Sequence, residues 1–271
     1  MIELSHIDKT FNAGTVNESV LFTDFNLSIH NDDFISVIGS NGSGKTTMLN
    51  LLCGSISPDK GQIIKDGQDI TKMKEYRRSE FISRVYQDPG KGSCPSFSIL
   101  ENIALADRKG RPYNLGAGIK KDKLDEYRTL LETLKLGLEN RIHDKVGSLS
   151  GGQRQALAML TSTLTPTSLM ILDEHTAALD PKTADNIMEL TNRLVHEKKL
   201  TTLMVTHNLK FALQYGNRLL MMHRGHAVID VAGEEKKNLP MSEILNVFNE
   251  ISLEYGNSLY NSNLKVKMHP G

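Results

Sequence analysis

Short apolar runs recur along this chain, and the segments between them change character in a regular way. Phe34-Ile35-Ser36-Val37-Ile38 ends at a glycine-rich turn and leads into a helix-prone stretch from Lys45 to Cys53, which reads as strand, loop, helix. Comparable runs at Phe81–Tyr86, Ser168–Leu172, Thr201–Thr206 and Arg218–Met222 read as buried strands. Between the third and fourth runs, Lys182–Lys198 places Ala184, Ile187, Met188, Leu194 and Val195 on one helical face. Strands alternating with helices predict a mostly parallel sheet covered on both sides. Two regions depart from that alternation. Residues 1–33 alternate polar and apolar positions with turns, which predicts a small antiparallel sheet. Residues from about 88 to 160 follow a loop from Asp88 to Ser98 and read as helical. There Leu124, Tyr127, Leu131 and Leu134 recur at helical spacing, with Lys121, Asp122 and Asp125 on the other face. The expected fold is therefore an α/β core, with an antiparallel β subdomain at the N-terminus and an α-helical subdomain inserted at about 88–160. The main domain spans 1–240, and a short extension, 241–271, opens with an amphipathic segment from Met241 to Leu253.

Composition narrows the functional classes. The 271 residues are 39% hydrophobic and 24% charged, the balance of a folded globular chain. Formal net charge is zero, so no broad electrostatic case for a nucleic-acid partner exists. The two cysteines, Cys53 and Cys94, lack a metal-type neighbour, a usage that fits a reducing compartment. Met1-Ile2-Glu3-Leu4-Ser5-His6 lacks the basic start and apolar stretch of a secretory signal. The long uncharged stretch Gln155 to Leu172 is broken by Pro166 and suits helix, turn and strand better than a membrane span. A membrane role would need a second chain to supply the membrane part.

Three stretches carry chemistry. Gly39-Ser40-Asn41-Gly42-Ser43-Gly44-Lys45-Thr46 fits the phosphate-binding pattern G-x-x-x-x-G-K-[ST], with Thr47 continuing into the helix. Glycines let backbone N–H groups turn inward around a polyphosphate, and the helix starting near Lys45 points its positive end there. Lys45 would contact the β- and γ-phosphates of a nucleoside triphosphate, and the Thr46 hydroxyl would hold Mg²⁺. Leu169-Met170-Ile171-Leu172-Asp173-Glu174 is an apolar strand ending in two acids. Beside a phosphate loop, Asp173 suits the Mg²⁺ shell and Glu174 suits orienting or deprotonating a water. Leu149-Ser150-Gly151-Gly152-Gln153 puts a serine and two glycines at a second helix start, a second anion site in a chain with one phosphate loop.

With these motifs in order, the chain resembles the ATP-binding cassette (ABC) ATPase family over nearly its full length. The resemblance implies an ATP hydrolase working as a homodimer, each ATP sitting between one copy's phosphate loop and the other's Ser150, Gly151, Gly152 and Gln153. It implies that Gln87, in Val85-Tyr86-Gln87-Asp88-Pro89, touches Mg²⁺ or the water. It also implies that His207 contacts the γ-phosphate and that Asp180 crosses the dimer interface, although Asp180 before Pro181 also suits a helix cap. Phe11 resembles the aromatic that stacks on adenine, with Phe22 and Phe25 nearby in register and core packing as the rival reading. The family implies a transmembrane permease partner and attachment to the cytoplasmic side of the membrane. The stretches around Gln87, His175 and His207 look like the ATPases of bacterial uptake systems assigned to tryptophan, tyrosine or related solutes, which implies an extracytoplasmic solute-binding protein. An efflux or lipoprotein-releasing ATPase shares every motif, and a soluble non-transport ABC protein is the reading from another class. Where most family members carry proline after the catalytic glutamate, this chain has His175, which would alter the stiffness of the loop or add a titrating group.

Overall fold

In the first strand, β1 (Ile2–Phe11), Ile2 and Leu4 point inward at a spacing of two, and Ile7 follows at a spacing of three. Its partner β2 (Ser19–Ile29) keeps Ile29, Leu27 and Phe25 inward at a constant two, so a residue is left over on β1 and the ladder shifts between Leu4 and Ile7. His6 takes the left-handed backbone (φ 53°) at this bulge, and Asp24, also left-handed (φ 53°), meets its ring at 2.6 Å. The computed structural model describes residues 1–111 and 121–256. Within them the chain forms two units, one made of residues 1–73 with the segment from Val205 onward, the other of Lys74–Met204.

In the first unit, β3 (Phe34–Gly39) has every residue buried and runs into α1 (Lys45–Cys53), whose Met48, Leu49, Leu51 and Leu52 are buried. β4 (Lys60–Lys65) and β5 (Gln68–Asp69) complete an antiparallel sheet in the order β2-β1-β4-β5. This is the antiparallel sheet expected of the N-terminal region, widened by two strands that the sequence pattern did not mark.

The second unit opens with the short α2 (Glu75–Arg78) and β6 (Ile82–Val85), then α3 (Ile99–Asp107), α4 (Leu124–Glu132) and α5 (Gly151–Ser162). Tyr127, Leu131 and Leu134 are buried as their helical spacing predicts; Lys121, expected on the opposite face, lies outside the residues whose side chains are described. β7 (Leu169–Asp173) pairs in parallel with β6, and α6 (Pro181–Lys198) buries the predicted Ala184, Ile187, Met188, Leu194 and Val195. β8 (Thr202–Val205) begins in this unit, and the amide of Met170 donates to the Thr201 carbonyl just before it.

Back in the first unit, α7 (Leu209–Gln214) leads to β9 (Arg218–His223), which pairs in parallel with β3, Ile35 facing Arg218. β10 (His226–Ala232) adds an antiparallel edge to β9. Apart from that edge, the ladders β3–β9 and β6–β7 are parallel, the arrangement of a P-loop nucleotide-hydrolase core. After the short α8 (Gly233–Lys237), α9 (Met241–Gly256) closes the described chain. Ile244 of α9 is buried with Ile38, Ala212, Leu219 and Met221, and Val247 and Phe248 pack against the same cluster. The amphipathic tail segment is thus a helix seated on the first unit; residues 257–271 of the expected extension lie outside the described residues.

Candidate nucleotide site

The glycine loop leaves β3 and enters α1 within the first unit. Gly44 sits at the helix N-cap with φ 106°, a conformation that an L side chain rarely adopts, and a Cβ there would lie 2.8 Å from the Phe22 ring. The loop is braced from outside: the Gly225 amide donates to the Ser43 carbonyl at 2.9 Å, and the Ser40 hydroxyl lies 3.5 Å from His223 Nδ1. The Lys45 ammonium is buried, donating to the carbonyls of Gly39 (2.8 Å) and Ser40 (2.9 Å). The loop's own carbonyls thus hydrogen-bond the buried cation. Asn41, Gly42 and Thr46 are exposed, and Thr47 is half-buried.

Two further sequence-predicted residues lie in this unit. The Thr206 amide donates to the Val37 carbonyl (3.1 Å), so the chain reaches His207 alongside the strand that ends in the glycine loop. His207 is exposed, one residue before Asn208, whose side chain caps α7 by accepting from the Phe211 amide. Phe22 and Phe25 are buried and stack with centroids 4.7 Å apart, whereas Phe11 is 36% exposed at the end of β1 with the Lys9 ammonium 5.6 Å from its ring. Of the three rings, Phe11 alone presents a face to solvent.

The second unit holds the remaining set. Asp173 ends β7 and receives a hydrogen bond from Arg84 Nη2 at 2.6 Å. Glu174 follows in the left-handed region (φ 49°), turning sharply out of the strand. Gln87 is exposed just beyond β6, where Gln155 Nε2 donates to the Tyr86 carbonyl at 3.4 Å. The loop after it is stapled by Asn102 of α3, which accepts from the Cys94 amide (2.7 Å) and donates to the carbonyls of Cys94 (3.1 Å) and Ser98 (2.9 Å).

Ser150 is the N-cap of α5 in a reciprocal capping box with Gln153: its Oγ accepts from the Gln153 amide, and Gln153 Oε1 accepts from the Ser150 amide. Gly152 has a steric reason to be glycine, since a Cβ there would lie 2.4 Å from the Thr183 methyl on α6. Asp180 caps α6 by accepting from the Thr183 amide, and hydrogen bonding from the Thr183 side chain, with the amide second, holds its carboxyl below the ordinary aspartate range.

His175 resolves one of the two expectations placed on it. The Thr191 hydroxyl donates to the Ile187 carbonyl (2.7 Å), so the 3.1 Å contact with His175 Nε2 has the imidazole N–H donating. The ring is 2% exposed, and burial pushes its pKa down to about 4. It is a neutral strut from the loop after Glu174 to α6, and not a group that titrates near neutral pH.

The chain matches the ABC transporter family over residues 22–177, more than half its length. It is 46% identical over 248 residues to the tyrosine transport ATP-binding protein of Clostridioides difficile (strain R20291), covering 92% of this chain and 98% of that one. The ADP conformation of an ATP-binding cassette of an ABC transporter superposes with a TM-score of 0.76 at 26% identity, over 93% of this chain and 98% of that chain. A dimeric post-hydrolysis cassette bound to ADP and Pi gives a TM-score of 0.71 at 28% identity, over 86% and 98%. The chain belongs to the ABC transporter ATP-binding family. ATP hydrolysis is the general activity of its cassettes, and this chain is an ABC-type ATP hydrolase.

Proposed function

We propose that this chain drives uptake of an aromatic amino acid or a related small solute, by ATP-dependent pairing of two copies beneath a separate permease. The 46% identity to a tyrosine transport ATP-binding protein, over almost the whole of both chains, carries this reading. An extracytoplasmic solute-binding protein would deliver the solute, and the ATPase would sit on the cytoplasmic side of the membrane, held by the permease. Among the described residues no helix is long and apolar enough to cross a membrane. Residues 1–240 act as the cassette, the region of about 88–160 as its helical subdomain, and 241–271 as an extension.

In this reading Lys45 and the loop Gly39, Ser40, Asn41, Gly42, Ser43, Gly44, Thr46 and Thr47 hold the triphosphate by inward-facing amides and one ammonium. Phe11 stacks on adenine. Ser150, Gly151, Gly152 and Gln153 of the opposite copy close over the γ-phosphate with the N-terminal end of α5, and Asp180 lines the boundary between copies. Glu174 takes the proton of the attacking water, and His207 and Gln87 orient that water. Among the described residues no cluster of three or more His, Cys, Asp or Glu side chains forms. In this reading the metal donors would be the Thr46 hydroxyl, the Gln87 amide oxygen and the Asp173 carboxylate. Such hard oxygens suit Mg²⁺, which keeps waters and phosphate oxygens in its shell and needs no all-protein cage. When bound there, Mg²⁺ supplies charge neutralisation at the β- and γ-phosphates.

Glu174→Gln tests the engine. The variant is expected to bind ATP normally, lose turnover and accumulate as a dimer with ATP, read by light scattering beside a phosphate-release assay. Wild-type turnover would remove Glu174 from its role. The chains that co-purify with the protein from its native membrane would identify the permease.

A further inference from the structure

Asp173 is already engaged with a cation of its own chain. In the parallel pairing of β6 and β7, Arg84 faces Ile171. Asp173 stands two residues beyond Ile171, on the same face and diagonal to Arg84, within reach of a long side chain. Arg84 Nη2 reaches Asp173 Oδ2 at 2.6 Å, with the two side chains only 14% and 18% exposed. The guanidinium carbon also lies 4.9 Å from the centroid of the Tyr86 ring. Arginine keeps its charge across the whole accessible pH range.

A guanidinium held on one carboxylate oxygen weakens that carboxylate as a ligand for a divalent cation, because the two positive centres repel at short distance and burial weakens the screening between them. We propose that Arg84 is a built-in counterion that competes with the divalent cation for Asp173, so that metal-bound nucleotide is loaded by exchange. Moving the guanidinium off Oδ2 lifts that repulsion and frees the oxygen's full charge for a metal shell, and the Tyr86 face offers the guanidinium a second attractive surface close by. Arg84 is thus a positioning residue, which keeps Asp173 aligned and charge-compensated between nucleotides and raises the metal concentration needed to load one. This rests on the reading of Asp173 as the carboxylate on the metal side.

The test is a Mg²⁺ titration of fluorescent ATP-analogue binding, with a parallel titration in excess chelator, on the full chain and on Arg84→Gln, Arg84→Lys and Asp173→Asn. In Arg84→Gln the Mg²⁺ concentration for half-maximal binding is expected to fall on the order of fivefold, the size that a partly exposed ion pair supports. Affinity in chelator should be unchanged. Arg84→Lys keeps the charge but loses the planar fork, so its half-point should fall by less, about twofold; it decides the matter alone if Arg84→Gln fails to fold. An unchanged or raised half-point in the folded Arg84 variants overturns the proposal. Asp173→Asn should lose most of the Mg²⁺ dependence. If it keeps the wild-type dependence, the role of Asp173 falls and the exchange with it. If Asp173→Asn loses the dependence while the Arg84 variants behave as wild type, Arg84 alone is wrong.

Discussion

His175 shows how one side chain can make stability depend on pH while taking no part in chemistry at neutral pH. Its pKa is pushed down to about 4 in the folded chain, against the ordinary 6.5 of an unfolded one. Between those values the unfolded chain binds a proton that the folded chain does not, so stability is fully present above pH 6.5 and is lost as pH falls towards 4. The loss is on the order of 3 kcal/mol for a shift of this size. His175→Asn, which cannot titrate, is therefore expected to show a shallower decline than the wild type across that window in urea unfolding at a series of pH values. Parallel curves would mean that the imidazole is not held neutral. Much of the candidate site is legible at this scale, because each motif is a local run: Gly39 to Thr46, Asp173-Glu174, and Ser150 to Gln153. The partners of those residues were not legible. Arg84 and Asp173 are far apart in sequence, and so are His175 and Thr191, and only the strand register and the packing of α6 bring each pair together.

Between elements, the approach of α5 to α6 is set by a missing side chain. A Cβ at Gly152 would meet the Thr183 methyl at 2.4 Å, and that methyl is on a β-branched side chain with little freedom to turn away. Gly152→Ala gains up to about 1 kcal/mol of helix propensity. Overpacking typically costs more, about 1–3 kcal/mol, so a net loss is expected. Adding Thr183→Ser removes the methyl and should restore most of that loss, a non-additivity that a double-mutant unfolding cycle measures. Strand and helix positions were legible where the pattern was dense. β3, fully buried, was read almost to its ends, and so was α6. β4 and β10 were not, because β4 buries one residue fully and β10 none, leaving no run or alternation to read. The bulge in β1 escaped for a related reason: a slip from two to three in the inward spacing looks like the end of a strand until the partner strand is known.

At the scale of the whole molecule, the shared-site reading makes a claim about pairs of copies. A chain carrying Lys45→Ala keeps its own Ser150 helix start, and a chain carrying Ser150→Arg keeps its own glycine loop. Each alone should fail to pair with ATP in a stalled Glu174→Gln background. Mixed, they should recover ATP-driven association in light scattering, because one of the two composite sites is then whole; no recovery would mean that each copy completes its own site. The loop after Gln87 bears on how such pairing would be felt elsewhere. Asn102 ties the backbone at Cys94 and Ser98 to α3 through hydrogen bonds from a single buried amide. The same loop is also held by the amides of Val146 and Gly147, which donate to the Phe97 and Pro95 carbonyls, so displacing it strains its fastening to α3 and its fastening to the segment before α5 together.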